Sequence, residues 1–120
     1  MFNVFYYKDK NGKSPIADYI RELAGKNNKD SRIKLNKIYE YTKYLSEVGQ
    51  RAKEPYAKHL EGEIWELRPV KDRILYAAWD NNSFILLHHF RKDTRKTPRR
   101  EIEQAKRNLS DYKERGKEHE

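Results

Sequence analysis

Residues 64–100, IWELRPVKDRILYAAWDNNSFILLHHFRKDTRKTPRR, constrain this chain more than any other stretch. Three apolar segments follow one another with only turns between them, and none of the gaps can hold a helix. Residues 64–68 alternate Trp65 and Leu67 against Glu66 and Arg68, the period of a strand with unlike faces. Pro69-Val70-Lys71-Asp72 reads as a turn, since proline cannot donate to a strand ladder. Residues 73–79 and 84–90 are the next two strands, joined by the polar hairpin loop Asp80-Asn81-Asn82. Phe84-Ile85-Leu86-Leu87 is apolar without alternation, which predicts a central strand covered on both faces. Polarity then inverts. Arg91, Lys92, Arg95, Lys96, Arg99 and Arg100 crowd into residues 91–100, opposed only by Asp93. A buried strand that ends in such a cluster is a platform for a polyanion.

The rest of the chain must pack on this meander. Residues 2–7, FNVFYY, form an aromatic strand. Ser14-Pro15 opens a helix, because serine caps and proline fits the first helical position, where a missing N–H costs nothing. Ile16, Tyr19, Ile20 and Leu23 then share one face, and Gly25 is the expected C-terminal cap. A longer helix is predicted from about Asp30 to Gly49, with Leu35, Ile38, Tyr39, Thr42 and Leu45 facing inward. Residues 50–63 read as a loop in which Tyr56 and Lys58 are placed to reach a ligand. Thr97-Pro98 repeats the cap-plus-proline signature, and Ile102, Ala105, Leu109 and Tyr112 form the inward face of a last helix. Residues 113–120 offer no core residue and are expected to fray. The order strand, helix, helix, three-stranded meander, helix gives an α+β class, in one domain spanning residues 1–120.

Composition narrows the function. The formal charge is +8 with a pI near 9.6, so polyanions are the natural partners. There is no cysteine, which excludes disulfides and thiolate metal sites, and the four histidines lack ligand spacing; no metal or other cofactor is expected. No apolar run approaches a membrane span and no signal-peptide core is visible, so a soluble cytoplasmic protein without membrane partners is expected.

Cleaving RNA requires a deprotonated 2′-hydroxyl, a neutralised phosphorane and a protonated leaving oxygen. Arginine and lysine supply the charge, and a lysine desolvated among cations drops in pKa enough to move protons. Arg68 and Arg73 flank the Pro69–Asp72 turn, and antiparallel pairing brings them together at one edge of the sheet. A blander reading has them capping Glu66 and Asp72, and the residues alone support both equally. Lys92 and Lys96 lie between the last strand and the last helix, whose N-terminal N–H groups also favour phosphate. His88 and His89 point to opposite faces, and neither is chosen as the general base.

KHLEGEIWELRP, RILYAAW and FILLHHFRKDTRKTPRREIEQAKRNLSDY, in that order, resemble the HigB-type, phage-derived branch of the RelE/ParE toxin superfamily. The likeness covers residues 56–112, and the N-terminal strand and helical hairpin suit the same fold. It implies a ribosome-dependent endoribonuclease that cleaves translated mRNA without a metal, neutralised by a HigA-type helix-turn-helix antitoxin. It carries catalytic positions onto Arg68, Arg73, Lys92 and Lys96, and RNA contacts onto Lys58; the basic run adds Arg91, Arg95, Arg99 and Arg100 to that surface. Asp93 departs from the basic or polar residue expected in the loop. A gyrase-directed toxin and a non-catalytic nucleic-acid-binding module are the alternatives that the same cations serve.

Overall fold

The computed structural model describes residues 1–118. Nine segments of regular structure follow in order: β1 (Asn3–Tyr6), α1 (Pro15–Gly25), α2 (Lys29–Val48), a 3₁₀ turn (Gly49–Arg51), β2 (Ala57–Glu61), β3 (Ile64–Leu67), β4 (Asp72–Asp80), β5 (Ser83–Arg91) and α3 (Arg99–Glu118). The five strands form one mixed sheet in the order β1-β5-β4-β3-β2, with β1 parallel to β5 and every other pair antiparallel. The class is α+β, as the order of segments implied.

Local chemistry explains the helix starts. Ser14 accepts from the Ala17 N–H, with Pro15 first in the helix; Asn28 accepts from Ser31 N–H at 2.8 Å. Gly49 closes α2 with a left-handed φ of 56°, where a Cβ would run into the Phe2 ring. Gly25 does not play that part for α1. It is the last helical residue, and the cap is Lys26 in extended conformation.

The sheet divides the core in two. Ile16, Ile20 and Leu23 of α1, with Ile38 and Leu45 of α2, pack on Leu67, Ile74, Tyr76, Phe84 and Leu86. On the other face Ala105 and Leu109 of α3 meet Ile64, Leu75, Ala77, Ile85 and Leu87. Phe84 to Leu87 are thus buried on both sides, as their unbroken apolar run requires. A register slip opposite Leu75/Tyr76 leaves Leu87 outside the ladder, a bulge that turns Leu87 and His88 towards α3 together.

Four further expectations need correction. Residues 57–61 are a strand rather than loop; β2 is an edge strand with a bulge between His59 and Glu61, so its apolar alternation is broken. Tyr39 is exposed, since Ile38 takes the buried position and Tyr39 lies a hundred degrees around the helix. Thr97 does not cap α3. Its hydroxyl is bonded to the Glu66 carboxylate, and the Pro98 carbonyl receives the first helical N–H groups. The predicted fraying of residues 113–120 is met by a helix running to Glu118, where Trp79 packs on Tyr112 and Arg115 bonds Asp111. Residues 119–120, including His119, lie outside the described residues.

Candidate functional site: a cationic groove over a buried carboxylate

Strand register decides which cations meet. Lys58 pairs with Glu66, Glu66 with Leu75, and Leu75 with His88, so the four form one row across the face that α3 covers. Leu67 pairs with Ile74, which sets Arg68 opposite Arg73 one step along. The arginines do meet, but in the interior of the sheet, because β2 takes the edge.

Glu66 is the hub of this arrangement. It is 3% exposed, accepts the Thr97 hydroxyl, and lies 3.5 Å from Arg68 Nε and 3.8 Å from Arg73 Nε. A buried carboxylate needs such partners to remain ionised. Above it opens a groove of about 250 Å³ lined by Lys58, Arg68, Arg95 and Lys96, with Glu66 and Thr97 beneath. Arg68 also approaches Glu54, at 3.6 Å. Among the described residues no ion pair engages Lys58, Arg95 or Lys96. Three uncompensated cations and one guanidinium held by a carboxylate make a concave surface suited to phosphate.

The remaining candidates sit elsewhere. Arg73 is only 7% exposed, and its Nη1 donates to the carbonyls of Val70 and Asp72, both at 2.8 Å. Burial, aided by Arg68, draws its pKa down against the pull of Glu66. Arg73 is thus turned towards the Pro69–Asp72 turn and enclosed there, not placed at an open edge of the sheet. Lys92 is half-buried beyond β5, and its N–H donates to Lys71. Arg91 lies against Asp72 and Lys34 on the opposite face. Arg99 grips Glu61 and approaches Glu103; hydrogen bonds from Arg99 and Lys106 hold Glu61 down at about 2. Arg100 is exposed on the first turn of α3.

Glu66 does pair with both arginines, as the blander of the two readings has it, whereas Asp72 gives Arg73 only its backbone carbonyl. The burial of Glu66 is not legible in the sequence, because alternation with Trp65 and Leu67 puts a carboxylate on the polar face of the strand, and only α3 and Thr97 cover it there. Tertiary contact also makes two histidine–carboxylate pairs that spacing did not reveal. His88 Nε2 meets Glu101 at 2.9 Å, on the α3 face. His89 Nε2 meets Asp72 at 3.0 Å on the other face, where Tyr19 also donates to Asp72 and stacks on the His89 ring at 3.9 Å. Burial pushes the Asp72 carboxyl up, but bonds from His89 and Tyr19 outweigh it and leave the pKa below the ordinary value.

Residues 26–110 match the family described as Phage derived protein Gp49-like (DUF891). The chain belongs to that family. It is a family of RelE-like toxins, and the match includes α2, the four-stranded meander and most of α3. Among curated proteins no relative matches this chain. Both buried carboxylates and every lining residue of the groove fall inside the Gp49-like stretch. None of the helices among the described residues is long and apolar enough to cross a membrane.

Proposed function

We propose that this Gp49-like protein is the toxin of a toxin–antitoxin pair of the HigB type, in the RelE/ParE superfamily. In this reading it cleaves translated mRNA on the ribosome in the cytoplasm, and a HigA-type helix-turn-helix antitoxin neutralises it. The observation that carries the proposal is the groove in which Lys58, Arg68, Arg95 and Lys96 converge over Glu66.

The chemistry follows from those groups. Attack of a 2′-oxygen on phosphorus closes a 2′,3′-cyclic phosphate and breaks the bond to the 5′-oxygen, which leaves as a hydroxyl with a proton in place of the one the 2′-hydroxyl gives up. Negative charge gathers on the non-bridging oxygens, and preorganised cations lower that barrier. Arg68 offers a planar fork for two such oxygens, and Glu66 fixes its direction from below. Lys96 faces the same space and completes the neutralisation, while Lys58 and Arg95 hold flanking phosphates. Arg73 contributes its charge from beneath the groove through Glu66, and Lys92 begins the loop that carries Arg95 and Lys96. Arg100 adds long-range attraction for RNA, while Arg91, on the opposite face, and Arg99, paired with Glu61, add only to the net charge. The ribosome presents the message in line for attack, a task that the open groove leaves to its surroundings.

Induction of the protein without an antitoxin tests this. Primer extension on ribosome-bound messages should show new 5′ ends as translation stops. Arrested growth with intact messages rejects the nuclease; replication stopping first supports a gyrase-directed toxin instead, and RNA binding without product leaves a non-catalytic module.

A further inference from the structure

The turn between β3 and β4 holds a valine in a conformation that valine resists. Val70 has φ 59°, the left-handed region where a β-branched side chain crowds its own backbone. Four hydrogen bonds impose it. Arg73 ties the Val70 and Asp72 carbonyls, Asp72 N–H returns to Pro69 at 3.1 Å, and Lys92 N–H holds Lys71 at 2.8 Å. Pro69 is fully buried on one side of Val70, and Asp72 is buried on the other. The valine receives little burial in return, because it is 58% exposed. A glycine would take this backbone without strain, so what the isopropyl group does here it does outside the chain.

Its surroundings are consistent with a binding surface. Ile33, from the first turns of α2, is 48% exposed and lines the same pocket of about 190 Å³ with Lys34, Lys71 and Arg91. Asp72 forms the floor, already satisfied by Tyr19 and His89, and Asp30 at the rim is paired with Lys34 at 3.1 Å. Lys71 and Arg91 make no ion pair among the described residues, so the pocket keeps two free cations around two exposed aliphatic groups. Single-stranded RNA is held by cations along its phosphates and by rings on which bases stack, and exposed aliphatic side chains are no part of that grip. Here the apolar surface is aliphatic, which suits an aliphatic side chain, and the rim suits carboxylates. We infer that Ile33, Val70, Lys71 and Arg91 form a docking site for an acidic protein segment with one aliphatic anchor. The inference does not rest on the nuclease reading, because the site uses none of the groups that line the groove.

The test uses the full-length ¹⁵N-labelled protein and a blocked hexapeptide with one aliphatic anchor, acetyl-Glu-Glu-Leu-Ser-Glu-Glu-amide. Amide shifts should cluster at Ile33, Val70, Lys71 and Arg91 and spare Arg68 and Lys96. Val70→Gly should weaken binding about tenfold, the loss of one buried aliphatic group, while the thermal midpoint stays at or above that of the parent. Ile33→Ser should weaken it similarly, and Lys71→Glu more at low salt than at high. The inference is overturned if Val70→Gly binds like the parent, or if no residue shifts up to about 1 mM peptide. It is equally overturned if the lysine-for-glutamate peptide or an oligouridylate occupies this pocket as well as the acidic peptide does.

Discussion

Glu66 and Asp72 are both buried carboxylates at the β3–β4 corner, and both are within the stretch that assigns the family. Their neighbours differ in kind. Glu66 faces two guanidinium groups and one hydroxyl beneath an open groove of cations. Asp72, 2% exposed, is gripped by Tyr19 and His89 on the face that α1 and α2 cover. A carboxylate among cations in reach of solvent orients charge for a ligand. One enclosed by hydrogen-bond donors from other elements fastens those elements together. Burial of an acid therefore does not identify a site, and neither does an opening above it, since Asp72 also floors a pocket rimmed by Lys71 and Arg91; the two acids differ in what their carboxylates hold.

Arg73 touches both neighbourhoods, and its removal should have the largest effect. Arg73→Ala should lower unfolding stability by about 3 kcal/mol, since it strands two turn carbonyls and removes a buried partner of Glu66. Urea unfolding reads this, and Arg73→Lys should recover part of it. An alanine variant as stable as the parent that cleaves about a hundredfold more slowly would instead place Arg73 with the catalytic groups.

Arg68→Ala is the counterpart on the groove side. It should slow cleavage on programmed ribosomes about a hundredfold, near 2.7 kcal/mol of activation free energy, with a midpoint within a few degrees of the parent. Equal losses of stability at Arg68 and Arg73 would erase the division between the two regions.

Asp72→Asn sharpens the comparison through pH. The folded pKa of Asp72 lies below the ordinary 3.8, so its contribution is complete above that value. It is lost as pH falls through the folded pKa, because the proton then binds the unfolded chain more readily. The variant should be about 1–2 kcal/mol less stable at neutral pH, and the gap should narrow in acid. A constant gap from neutrality to pH 3 would sever the acid response from Asp72.

Lys96→Ala should leave folding untouched, slow cleavage less than Arg68→Ala does, and weaken the salt dependence of RNA binding. Four groove cations predict a slope of log affinity on log salt of roughly −2.8, and the variant should lose about 0.7 of it. The smallest effect falls on the opposite face: Val70→Gly should raise stability by up to about 1 kcal/mol, visible as a higher thermal midpoint, by relieving the left-handed valine.

Much of the architecture was legible in the residues themselves. The Ser14-Pro15 start, the Ile16–Leu23 face, the Gly49 stop and the buried run from Phe84 to Leu87 all depend on chemistry within a few positions. The class, the helix faces and the existence of a basic surface followed. What the chain order could not convey was which cations converge. Arg91 to Arg100 look like one cluster in sequence, yet Arg91 ends on one face, Lys96 lines a groove on the other, and Arg99 is spent on Glu61. Strand alternation and the exit into α3 scatter neighbours, while register sets Lys58 beside Glu66 and the loop after β5 brings Lys96 to the same groove. The edge strand β2 escaped notice for a related reason, since a bulged strand with one solvated face carries little periodic signal. Local periodicity is written residue by residue, whereas the burial of Arg73 and the pairing of His89 with Asp72 exist only once the sheet closes and brings their partners within reach.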